Sequence, residues 1–134
     1  MKKRMFITAF GLSILAGVSQ AKSITADQIV AALQKAGTGI TAVKPIPRDP
    51  SSPRPNSFRE NFAFTLPSVA PKGGQFFICD TRKYCDAIFS YYDALKGLAG
   101  PYLYRSKDGL VVFQLNSGLE PKVAEQIKST IRSL

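Results

Sequence analysis

The 134-residue chain contains no histidine, and its only cysteines are Cys79 and Cys85. The first absence removes whole reaction classes. Serine–histidine and cysteine–histidine systems need an imidazole to take the nucleophile's proton, and histidine-bound zinc hydrolases need it as a ligand. Two thiols alone fall short of the four ligands of a structural zinc. The sequence therefore points to no metal site and no cofactor.

Carboxylates are also sparse, with nine Asp and Glu against 18 Lys and Arg. Glycoside hydrolysis needs two carboxylates facing one cleft, whereas Asp80, Asp86 and Asp93 read as cap and surface positions. One motif imitates an enzyme. Tyr92-Asp93-Ala94-Leu95-Lys96 has the Tyr-x-x-x-Lys spacing of short-chain dehydrogenases. Those enzymes also need a Gly-rich turn inside a βαβ unit, and Gly73-Gly74 lies between two antiparallel-looking strands instead. No catalytic set emerges, and the chain reads as non-enzymatic.

Long apolar runs are confined to the start. Lys2, Lys3 and Arg4 precede the uncharged segment 5–18, and Ser19-Gln20-Ala21 supplies small residues around a cleavage point after Ala21. That order is a secretory signal peptide over 1–21. The run is short of the roughly 20 apolar residues of a spanning helix. Val18 occupies the place of the lipidated cysteine of a bacterial lipoprotein, which argues against a lipid anchor. The expected mature chain, 22–134, is a single exported domain, periplasmic or secreted from a bacterium and without a transmembrane anchor. It is large enough to bury its own core. Losing three cations lowers its formal charge from +9 to +6.

What is present reads as a mixture of helix and strand. Thr25 with Gln28 forms a capping box, Ile24 with Ile29 a hydrophobic staple, and Gly37 a stop, so a first helix is expected over about 26–36. A short β-favouring piece, Ile40 to Val43, leads into a Pro-rich loop at 44–57 that reads as a stiff connector. From Phe58 to Leu66 the pattern alternates, with Phe58, Phe62, Phe64 and Leu66 on one side, as in a half-buried strand. Gln75 to Cys79 is continuously apolar after its first residue, as in a central strand. A second helix is expected over about 82–98, capped by Asp80 or Thr81, with apolar residues over half its circumference. An ordinary helix on a sheet needs about a third. A hairpin around Asp108-Gly109 and a closing helix from Pro121 complete the chain. The expected fold is α+β: helix, three strands, helix, two strands, helix, with a mostly antiparallel five-stranded sheet, three helices and one disulfide.

This order of elements, from Thr25 onward, resembles that of type III secretion chaperones and related small bacterial α/β domains. The resemblance implies protein binding, with dimers paired through the second helix and neighbouring strands. Here that surface is Tyr84, Tyr91, Tyr92 and Leu95. The export signal, the cysteine pair and the basic charge depart from those cytoplasmic, typically acidic chaperones.

In an oxidising compartment Cys79 and Cys85 normally pair, and a strand-to-helix turn brings them within reach of a disulfide. A thiol–disulfide redox role is the alternative, since Arg82 and Lys83 near a helix start would favour a thiolate. However, disulfide oxidoreductases place two residues between their cysteines, and here there are five. The excess tyrosine stripe favours a protein-binding or self-associating module, whose partner is another envelope protein or a second copy. The alternative binding surface is basic, with Lys44, Arg48, Arg54, Arg59 and Lys72 offered to a polyanion or an anionic envelope surface. Nucleic acid is not an expected partner of an exported protein.

Overall fold

The computed structural model describes residues 24–134, so the expected signal peptide at 1–21 lies outside the described residues. The first helix, α1, spans Ala26–Lys35. Its capping box forms as expected: Gln28 N–H donates to Thr25 Oγ1 at 3.2 Å, and Thr25 N–H donates to Gln28 Oε1 at 3.0 Å. Past the helix, Gly37 takes φ 75°, a conformation that costs glycine little.

Strands β1 (Thr41–Pro45), β2 (Glu60–Thr65) and β3 (Gly73–Ile78) follow, with a single 3-10 turn at Pro67–Val69 between the last two. Helix α2 spans Arg82–Ala94, a short helix α3 spans Lys96–Ala99, and β4 (Leu103–Arg105) and β5 (Val111–Leu115) form the hairpin. Helix α4, Pro121–Arg132, closes the chain with Pro121 in its first turn. The fold is thus α+β, with one five-stranded sheet in the order β1-β2-β3-β5-β4 and every neighbour antiparallel.

The continuously apolar strand is the middle one, and both its faces are covered. Phe76 and Ile78 point to one core with Phe64, Leu66, Phe113 and Leu115, which α1 and α4 cover through Ile29, Leu33, Ala124, Ile127 and Ile131. Phe77 and Cys79 point to the other, which α2 covers through Cys85, Ile88 and Tyr92. The period-2 geometry of a strand makes this division unavoidable.

Four expectations need correction. The second helix does not run unbroken to Leu98, because Leu95 leaves helical geometry at φ −101°, ψ 11° and α3 begins as a separate turn. The described residues therefore hold four helices instead of three. The first strand reaches Pro45, so Lys44 and Pro45 pair with Ala63 and Phe62 and the Pro-rich connector begins later. Phe58 precedes β2 and leaves its alternation, packing edge-on against Phe77 at 5.3 Å on the α2 side. The supposed solvent side of β2 is also covered at one point, since Asn61 is buried there.

A candidate binding cleft beside the second helix

The cysteine pair is closed. Cys79 and Cys85 form a disulfide with Cα atoms 5.6 Å apart, linking the end of β3 to the first turns of α2. Thr81 Oγ1 accepts the Tyr84 N–H at 3.3 Å and caps α2, which sets where the second cysteine falls. Both cysteines are 0% exposed, within the cluster that contains Phe77 and Ile88. A redox role needs a sulfur open to an attacking thiol, and neither sulfur faces solvent in this conformation.

The tyrosine stripe is divided by packing. Tyr92 belongs to the core: its ring centroid lies 5.7 Å from that of Phe77, and its hydroxyl accepts from Gln75 Nε2 at 3.0 Å. Burial removes it from the expected partner-binding surface. Tyr91 is half-buried and meets Tyr92 edge-on at 5.1 Å. Tyr84 is exposed and Leu95 half-buried. These three fall on one side of the helix at 100° per residue. Leu98, on the separate turn α3 that follows the break at Leu95, is 88% exposed. Leu98 is not among the expected partner-binding residues.

The basic residues are likewise divided. Arg48 donates to the carbonyls of Asn56, Phe58 and Arg59. Its guanidinium and that of Arg54 lie over the Phe58 ring at 5.1 and 5.0 Å, and Arg54 also lies 5.2 Å from the Phe77 ring. The two arginines clamp the Pro-rich loop onto the α2 side of the sheet, where Ser57 Oγ also donates to the Tyr84 carbonyl at 2.8 Å. Arg59 pairs with Asp80 at 3.0 Å. Lys44 and Lys72 stand exposed, without ion-pair partners among the described residues. The five cations do not form one patch with free charges.

Helix α2 is too short to cover its whole face of the sheet. Beyond its end lies an open cleft of about 520 Å³, floored by Ala63, Gln75 and Gln114 and walled by Leu98, Lys72 and Asn116. Gln75 and Gln114 are direct cross-strand neighbours on β3 and β5. Gln75 Nε2 donates to Gln114 Oε1 at 3.1 Å, and Asn61 Nδ2 donates to Gln75 Oε1 at 3.3 Å. Gln114 Nε2 donates in turn to the Ala99 carbonyl at 2.8 Å, which fixes α3 at the edge of the cleft. The donors of this amide row are already engaged with one another's oxygens, with Tyr92 and with backbone carbonyls, which stiffens the floor, while Asn61 Oδ1 is buried without a partner among the described residues. No metal-binding cluster of His, Cys, Asp or Glu occurs among the described residues.

No protein-family model, curated protein or solved structure matches this chain. No described helix is long and apolar enough to cross a membrane.

Proposed function

We propose that the protein is an exported, non-catalytic binding module that engages another envelope protein through the open end of the α2 face. One observation carries this reading: Leu98, 88% exposed, stands at the edge of a concave part of the sheet. An aliphatic side chain so exposed beside a concavity gains from being covered, at roughly 25 cal/mol per Å² of apolar surface removed from water. Tyr84, Tyr91 and Leu95 extend that surface back along α2, and tyrosine is enriched at protein interfaces. The resemblance of the element order to protein-binding bacterial domains points the same way. The polyanion reading loses ground because Arg48, Arg54 and Arg59 hold the fold together.

The test places a photo-crosslinking amino acid at position 98 in the exporting cell, and at position 129 on α4 as a control. A discrete adduct formed from position 98 and absent from position 129 supports the reading, and its mass separates a partner from a second copy. Identical adduct patterns from both positions refute it.

A further inference from the structure

The groups left free around the cleft have a one-sided chemistry. Lys72 is the only charged residue lining it, and no carboxylate lines it. Asn116 spends its carbonyl oxygen on the Gly118 N–H at 3.0 Å, which leaves its amide N–H groups without a partner among the described residues. Ser117 adds an exposed hydroxyl. The floor amides are engaged with one another, with Tyr92 and with backbone carbonyls. An ammonium, a free amide donor and a hydroxyl therefore face an incoming group, and nothing there is a free anionic acceptor. Donors of this kind select a carboxylate. Leu98, Ile46, Ala63 and Ala99 lie around them as aliphatic surface.

We infer that the cleft receives a short acidic segment of the partner protein, an Asp or Glu flanked by an aliphatic residue, with Lys72 on the carboxylate and Leu98 on the aliphatic side chain. This rests on the binding-module reading and names what that surface recognises. Lys72 follows the β2–β3 turn, whose backbone is tied by Lys72 N–H donating to the Val69 carbonyl at 2.8 Å and by Leu66 N–H donating to the Lys72 carbonyl at 3.0 Å. Its base is therefore held, while its charged end remains exposed.

Nitrogen-15 NMR of the processed, exported protein tests this with two blocked pentapeptides, acetyl-Ala-Leu-Glu-Leu-Ala-amide and its Gln counterpart. The Glu peptide is expected to shift Gly73, Gly74, Leu98, Asn116 and Ser117, and to bind about two- to fivefold tighter than the Gln peptide, the range of an exposed ion pair. Lys72→Gln should erase that preference without changing the melting temperature. Leu98→Ala should weaken both peptides alike. About 0.5 M NaCl should also erase the preference, since the screening length then falls to a few ångströms. Equal affinity for the two peptides overturns the inference, as do shifts confined to another face or no shift with either peptide. Selective binding of phosphatidylglycerol vesicles at the same residues also overturns it. Any of these failures beside a discrete adduct from position 98 leaves the binding-module reading standing. Loss of the adduct removes both.

Discussion

Single side chains in this protein are often engaged where the alternation of the sequence leaves them free. Gln75 is the clearest case, because one amide joins Asn61, Tyr92 and Gln114 across β2, α2 and β5. Gln75→Leu removes three hydrogen bonds at a partly solvated place, where water replaces some of them. A loss of about 1 to 2 kcal/mol is expected in urea unfolding, together with displaced amide signals of Gln114. Asp49 shows a second kind of engagement, at the surface. Its carboxylate accepts from the Ser51 hydroxyl at 2.6 Å and from the Ser51 N–H at 2.9 Å, and these two bonds hold its pKa below the ordinary aspartate value. A carboxyl with a lowered folded pKa contributes above its unfolded value and loses that contribution as pH falls through the lowered one. Carbon-detected titration should therefore place the Asp49 inflection below that of a free aspartate, and Ser51→Ala should move it back up.

Two elements depend on fasteners that local propensity does not supply. The Pro-rich loop makes few backbone hydrogen bonds of its own and is held by arginines stacked on Phe58 and Phe77. Arg54→Ala uncovers those rings and removes two cation–π contacts. A loss of about 1 to 2 kcal/mol is expected by denaturant unfolding, with the loop 46–57 opened to proteolysis. The other fastener is the disulfide, which sets α2 against β3. Replacing both cysteines, Cys79→Ala with Cys85→Ala, releases a short loop, for which the chain-entropy treatment gives roughly 2 kcal/mol. Their complete burial adds a packing loss, so calorimetry should show a drop at least that large. An unchanged melting temperature would mean that packing alone orients α2.

At the scale of the molecule, α1 and α4 cover one face of the sheet, α2 covers only part of the other, and the two edges differ. Strand β4 is only three residues long and contacts both α2 and α4. Strand β1 is exposed, but its register shifts between Thr41 and Lys44 around Ala42, which takes φ 52°, and Pro45 ends it. A bulge, a lysine and a proline together discourage pairing with another chain. The double substitution Lys44→Val with Pro45→Val should therefore raise concentration-dependent association, read by light scattering, with little change in the monomer's unfolding midpoint.

Much of this architecture is legible in the linear chain because it rests on local chemistry. The Thr25–Gln28 capping box, the Pro121 helix start, the Asp108-Gly109 hairpin and the doubly buried run through Phe76 and Phe77 each depend on residues a few positions apart. The cysteine pair belongs with them, since only six positions separate its members. The candidate site was barely legible. Tyr84, Tyr91 and Tyr92 look alike along the helix, yet only their distance from Phe77 and Gln75 decides that Tyr92 is core and Tyr84 is surface. Arg48, Arg54 and Arg59 look like free charges until the loop folds back and their partners arrive from residues distant in sequence. By itself the sequence determined the five strands, the three longer helices, their order and their staple, because caps, turns and alternation act between near neighbours. Only the tertiary structure decided which side chains remain available to bind, because availability is what is left after every distant contact has formed.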